Sequence, residues 1–283
     1  MKQFTRTEVL NRLWGKINRR EAIIVGGAGC GLIGTALEAG GIDLIMAYNT
    51  GIYRMDGHVS LTGYRPFSDS NADTLHLGAV LDGVVKQTPV IAGIGPSDPY
   101  RSFDRMLDAC NQLHFSGITN VPSVEDVAYT AYFKDMIQSR GYGWKADVEL
   151  LRACRSRDIF TIFYAFDVEE LRALLAEGID CVSVHVGGTV GGLFKAPEGG
   201  KKTFEEACEK TQMFYDIVQT ENPNAIFLTH GGPFEDPESV GECFRRVPAH
   251  GFIGASTIER IPVESSVYQR IGQFQQLHLR KKG

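Results

Sequence analysis

Short, continuous apolar runs recur along the chain, each closed by Gly, Asn, His or Asp and followed by a stretch of helical spacing. Eight such runs read as strands: Ala22–Gly27, Asp43–Tyr48, Val90–Ile94, Gly117–Val121, Phe160–Ala165, Cys181–Val186, Ala225–Thr229 and Phe252–Ala255. Most lack in-out alternation, as strands covered on both faces do. Helical patterns separate them, for example Ser102–Leu113, Val168–Glu177 and Phe204–Gln219. Strands alternating with helices demand a parallel sheet with right-handed crossovers. Eight repeats predict closure, so the expected fold is α/β, a (β/α)8 TIM barrel. Before the first strand, Val9, Leu10, Leu13, Trp14 and Ile17 mark an amphipathic helix with a Thr5–Glu8 capping box. It is predicted to cap the bottom of the barrel. The expected organisation is a single domain, with the helix in 1–20, the barrel in 21–277 and a tail in 278–283.

Three connections exceed the ~2–6 residues usual in such units: Thr50 to Ser70, Asn120 to Asp147 and Gly187 to Lys202. The second is predicted to hold an extra helix over Val124–Ile137. The other two carry Gly, Arg and Lys and are predicted lids on the catalytic side.

Composition narrows the classes. A chain of 283 residues fits one barrel, whose usual length is ~250. The net charge of −5 and the lack of a basic cluster beyond Arg280-Lys281-Lys282 exclude a nucleic-acid footprint. No apolar run reaches the ~18 residues of a membrane span, and Met1 to Arg20 has no apolar signal core. None of the six cysteines forms a CxxC pair, and most sit in apolar patterns. They read as small hydrophobes of a reduced, cytoplasmic protein.

In a barrel the strand ends converge on one mouth, so polar residues there become neighbours. Strand by strand, the mouth offers the Gly26–Gly31 loop, Tyr48, Asn49, Asp98, Asn120, Tyr164, Asp167, His185, His230 and the stretch Ser256 to Arg260. The Gly run lets backbone approach an anion closely, either as a nest centred on Gly29 or as a tight turn. No acidic residue follows at the place a dinucleotide site needs. Gly231 and Gly232 after strand seven, and Gly254 and Ser256 after strand eight, occupy the place where many barrels bind phosphate. His185 and His230 end adjacent strands, with Glu259 one strand further. They could perform metal-free acid–base catalysis, form a two-histidine, one-carboxylate metal site, or be structural. The metal-free arrangement is preferred because no HxH or HxxxH pair fixes two ligands on one element. If the pair bound zinc, each ring would need a partner for its other nitrogen, and Asp180 and Thr229 are merely nearby in sequence. In the strand-two loop, Arg54 and Arg65 are candidates to grip a carboxylate or phosphate, as are Lys195 and Lys201 in the strand-six loop.

The stretches GAGCGL, DLIMAYNTGIYRMDGHVSLTG, TPVIAGIGPSDP, FSGITNVPSV, HVGGTVGG, THGGP and GFIGASTIERIP resemble the phosphoenolpyruvate-hydrolase-like TIM-barrel family, in order, over about residues 5–277. The resemblance implies a barrel of the phosphoenolpyruvate/pyruvate superfamily type, a homo-oligomer and a small-molecule substrate. Positions matching the motif blocks are Gly29, Tyr48, Asn49, Arg54, Asp98, Asn120, His185, His230, Ser256, Glu259 and Arg260. The chain has neither the Lys-Cys-Gly lid motif of better-known superfamily members nor their acidic cluster for magnesium. The expected activity is hydrolysis or carbon–carbon cleavage of a small oxo-acid or enol-phosphate-like compound through an enolate. His185, His230 and Glu259 would be catalytic, Tyr48 and Asn120 would stabilise the oxyanion, and Gly29, Asn49, Arg54, Asp98, Gly231, Gly232, Gly254, Ser256 and Arg260 would bind the anion. The cofactor is open: a divalent metal (zinc or magnesium) on His185, His230 and Glu259, or none. The alternatives are zinc-dependent cleavage of a β-dicarbonyl compound and a non-catalytic ligand- or protein-binding barrel.

Overall fold

The computed structural model describes residues 1–64, 67–123, 131–189, 191–194 and 202–280. Eight parallel strands close in sequence order: β1 Ile23–Gly27, β2 Leu44–Ala47, β3 Val90–Gly93, β4 Gly117–Thr119, β5 Phe160–Ala165, β6 Cys181–His185, β7 Ile226–His230 and β8 Gly251–Gly254. All eight predicted strands are present, shifted by a residue or two. The connecting elements are α1 Arg6–Asn18, α2 Gly31–Ala39, α3 Asn49–Met55, a 3-10 turn Ser60–Tyr64, α4 Ser70–Val84, α5 Phe103–Gln112, α6 Ala131–Ser139 and α7 Trp144–Ser156. α8 Val168–Ala176, α9 Phe204–Glu221, α10 Pro237–Arg246 and α11 Arg260–Phe274 complete the chain.

The strands read as continuous apolar runs because both faces are used. One face of each fills the barrel, with Ile23, Val25, Leu44, Met46, Phe160, Ile162, Cys181, Ile226 and Leu228 in one cluster. Phe4, Val9 and Leu13 join that cluster, so α1 plugs the bottom of the barrel, its Thr5–Glu8 capping box formed as predicted. The other face packs against the helices through residues such as Ile45, Phe163, Val182 and Phe227.

Three features differ from the sequence reading. The first part of the Thr50–Ser70 connection is structured, since α3 starts directly after Tyr48 and the 3-10 turn Ser60–Tyr64 follows it. The predicted Val124–Ile137 helix lies partly outside the described residues, as do Arg65, Lys195, Lys201, Lys281 and Lys282 entirely; α6 begins at Ala131. Finally, α11 follows the last strand but does not cover the barrel. Only Arg260 is buried in it, while Val263, Val267, Ile271 and Phe274, at helical spacing, are 43–60% exposed. No helix among the described residues is long and apolar enough to cross a membrane.

Candidate active site

The alternation that fills the barrel also sorts its mouth. Tyr48 and Tyr164 extend the interior faces of β2 and β5, and His185 and His230 do the same for β6 and β7 as register partners. The two imidazole centroids are 4.9 Å apart. Tyr164 meets both rings edge-on, at 5.8 and 4.9 Å, and Phe166 lies 5.0 Å from His185. The predicted histidine pair therefore exists, inside an aromatic wall.

The two rings sit in different surroundings. His230 Nδ1 lies 2.7 Å from the Ile253 carbonyl oxygen. A carbonyl only accepts, so Nδ1 carries a proton and the ring is held in one orientation. The group that orients His230 is thus a main-chain carbonyl, and Asp180 and Thr229, near only in sequence, are engaged elsewhere. Asp180 accepts from Arg6 at 2.7 Å, and Thr229 shares a hydrogen bond with Thr211. Burial, then the cations Lys210 and Lys202, lower His185 to about 3, so it is neutral at pH 7. Sequence reasoning missed Lys210 because it lies on α9. Its Nζ donates to the carbonyls of Phe166 (2.7 Å) and His185 (3.0 Å), tying together the ends of β5 and β6. Burial, then Lys202, brings its ammonium down to about 8.

Across the mouth stands a second cluster. Arg54 Nε donates to Glu259 at 2.6 Å, with both side chains at most 1% exposed. Arg54 Nη1 donates to Thr50 (3.2 Å) and Ser60 (3.1 Å), but Nη2 has no hydrogen-bond acceptor. The other Glu259 oxygen accepts from the Gly29 N–H. The Gly29 N–H, expected to meet a substrate anion, meets the protein's own carboxylate. Gly29 also packs so closely on Gly51 that no Cβ would fit. Burial pushes the Glu259 carboxyl up against the pull of Arg54, while Glu259 holds Arg54 firmly protonated. Burial likewise raises the Tyr48 phenol despite Arg54, so its hydroxyl keeps a proton to donate. The guanidinium carbon of Arg54 is 5.4 Å from the Tyr48 ring centroid. A Cβ on Gly27, whose strand position faces inward, would come within 2.9 Å of the Tyr48 hydroxyl and 3.1 Å of Arg54 Nη2. The missing side chain of Gly27 leaves a cradle between those two donors.

Several expected site residues do other work. Asn120 is fully buried and engages β5, accepting from Tyr164 N (2.8 Å) and donating to Tyr164 O (3.1 Å). With Oδ1 and one N–H of its amide so used, it clasps the two strands. Asn49 donates to Gly63 O at 2.7 Å and holds the 3-10 turn to α3. Asp98 folds its own loop, accepting from Asn71 (2.9 Å), Tyr100 N (2.8 Å) and Arg101 (2.7 Å). Gly232 N–H donates to Gly187 O at 2.8 Å, and a Cβ on Gly231 would strike the same carbonyl. Both adopt positive φ, +83° and +57°, and they pack the strand-seven loop on the strand-six loop. A Cβ on Gly254 would strike Ile258. Arg260 pairs with Glu264 and donates to Gly191 O at 3.1 Å. Ser256 is buried at the rim, one turn before Glu259.

The metal set fails on its donors. Glu259 is engaged by Arg54 and Gly29, and among the described residues no three His, Cys, Asp or Glu side chains are grouped to hold an ion. Neither zinc nor magnesium fits the described donors.

Residues 8–277 match the phosphoenolpyruvate hydrolase-like family. The chain is 34% identical over 275 residues to the ToMV resistance protein Tm-1 of Solanum lycopersicum, covering 97% of this chain and 36% of that protein. It thus spans about a third of that relative's length. A phosphoenolpyruvate phosphomutase from Streptomyces platensis subsp. rosaceus superposes with a TM-score of 0.60 at 14% identity, covering 94% of this chain and 87% of the other. A phosphonopyruvate hydrolase in complex with oxalate and magnesium gives 0.57 at 13%, covering 94% and 88%. At such identities the likeness is one of fold.

Proposed function

The chain belongs to the phosphoenolpyruvate hydrolase-like family, and from that premise we propose that it is an enzyme cleaving a small oxo-acid by a hydrolase or carbon–carbon lyase reaction through an enolate. The observation that carries this reading is one mouth holding a histidine pair opposite a cradle of buried donors. Arg54 Nη2 holds the anionic group of the substrate. The Tyr48 hydroxyl donates to the oxygen on which negative charge develops, in a place walled from water where such a bond counts most. His230 Nε2, its lone pair fixed by the bond from Nδ1–H to Ile253, takes the proton from the attacking water or substrate hydroxyl. His185, neutral beside it, relays that proton to the leaving carbon.

The same reading places the protein in a reducing cytoplasm, supported by its six free cysteines. It takes the working form to be a homo-oligomer, supported by the uncovered apolar stripe of α11.

Turnover of a panel of small oxo-acids tests the chemistry. His230→Ala is expected to lower kcat about 10²–10⁴-fold, as losing a general base does. Rates of wild type and variant that coincide for every active substrate would remove His230 from the mechanism.

A further inference from the structure

A lysine on an outer helix of a barrel ordinarily reaches into water, but Lys210 of α9 reaches back to the rim. Its Nζ donates to the main-chain carbonyls of Phe166 (2.7 Å) and His185 (3.0 Å), where β5 and β6 end. One of those carbonyls belongs to the residue whose ring lines the mouth, and the Phe166 ring lies 5.0 Å from that imidazole. Nζ also stands 5.2 Å from the ring centroid of Phe214, which is fully buried. The lysine side chain itself is half-buried, shielded from water but not sealed off.

Two acceptors suit an amine better than an ammonium. A neutral amine has two N–H groups and a lone pair, so the two carbonyls take the N–H groups and leave the lone pair facing away from them. An ammonium has a third N–H to place, and among the described residues Lys210 forms no ion pair to hold its charge. The carboxylates that act on it are turned to main-chain N–H groups. Asp167 accepts from Glu170 N at 2.9 Å, and Glu170 accepts from Phe166 N at 2.7 Å. Lys202, one residue before the α9 N-cap Thr203, adds a like charge. Burial, then that charge, brings Lys210 down to about 8 against the pull of Asp167 and Glu170. Desolvation and a neighbouring cation are what make a lysine amine nucleophilic.

We propose that Lys210 is a nucleophile that condenses through Nζ with the carbonyl carbon of a small 2-oxo acid, forming an imine at the rim. The lone pair attacks C2 while the carbonyl π pair moves onto oxygen, and one proton passes from nitrogen to that oxygen. The carbinolamine so formed loses its hydroxyl as water, taking up one proton from solvent as the C–O bond breaks. A protonated imine remains, whose single N–H keeps one of the two carbonyls. No oxidant or reductant is consumed. The choice of a 2-oxo acid rests on the oxo-acid reading above. The imine goes beyond it, since a protonated C=N draws electrons from the neighbouring carbon more strongly than the carbonyl it replaces.

Incubating the full chain with pyruvate and sodium cyanoborohydride at neutral pH, then mapping adducts by peptide mass spectrometry, tests the assignment apart from turnover. The reduced adduct is expected to form on Lys210 at least about tenfold faster than on any exposed lysine, whose ordinary pKa of about 10.4 leaves far less free amine. Lys210→Arg, which keeps donors for both carbonyls, is expected to lose it. Labelling spread evenly over exposed lysines, with no excess at Lys210, would overturn the proposal. So would total labelling unchanged in the Lys210→Arg protein. A Lys210 adduct with no turnover of any oxo-acid would leave the imine standing and sink the proposed reaction. Turnover with no adduct would do the reverse.

Discussion

Removing the Glu259 carboxylate would leave Arg54 as an uncompensated charge among buried neighbours and the Gly29 N–H without an acceptor. Breaking a buried pair from one side costs about 3–5 kcal/mol, so Glu259→Ala is expected to lower the urea midpoint by a corresponding amount. His185 sets a pH dependence of its own. Above pH ~6.5 the ring is neutral folded or unfolded. Between that value and about 3 the unfolded chain takes a proton that the folded site refuses. Stability therefore falls as the pH drops through this window, by at most about 1.4 kcal/mol per pH unit, and the contribution flattens below it. In His185→Gln that loss is absent, so the stability gap between wild type and variant should narrow from pH 7 to pH 4 in denaturant titrations. At this scale the sequence was only half legible. His185, His230, Tyr48 and Arg54 could be placed at the mouth because inward alternation or loop position requires it. Asn120 and Asp98 could not be assigned, because a polar residue at a strand end looks the same whether it faces the cavity or a neighbour's backbone.

Asn120 shows how one side chain joins two strands. β4 is only three residues long, Gly117–Thr119, and the Asn120 amide continues its pairing with β5 beyond the ladder. Asn120→Ala would strand a buried N–H and a buried carbonyl, each costing about 1–3 kcal/mol. Thermal unfolding should shift down markedly, with kcat/KM of the folded fraction unchanged. A fall in kcat/KM at full stability would instead return Asn120 to the chemistry. The strands themselves were readable, since burial on both faces leaves uninterrupted apolar runs. α3 was not. It is one short helix, Asn49–Met55, wedged beside Gly29 and held by the buried Arg54, so tertiary contact rather than periodicity makes it helical.

At the scale of the whole molecule, α11 is left uncovered among the described residues. Val263, Val267, Ile271 and Phe274 present an apolar stripe to solvent, and Leu32 on α2 is 76% exposed. Contiguous apolar surface of this kind marks an association site, and a second copy of the chain offers the same stripe in return, as two-fold assembly requires. Sedimentation should therefore give a mass above 31.2 kDa, and Val267→Glu with Ile271→Glu should return it to that of one chain. The sequence pattern could not reveal this, because an apolar stripe reads alike whether its own barrel or another chain covers it. The tie at the mouth has a consequence in time as well as in space. Arg54 and Glu259 are 205 residues apart and Gly29 and Glu259 are 230 apart, and they join where β1 meets β8. During synthesis, most of the barrel leaves the ribosome before the counter-charge of Arg54 exists. Contacts of such long sequence separation form late, so until then the nascent chain carries an unmatched guanidinium and an open seam. The cradle cannot exist before the ring is shut, and an incomplete chain has no means of holding a ligand there.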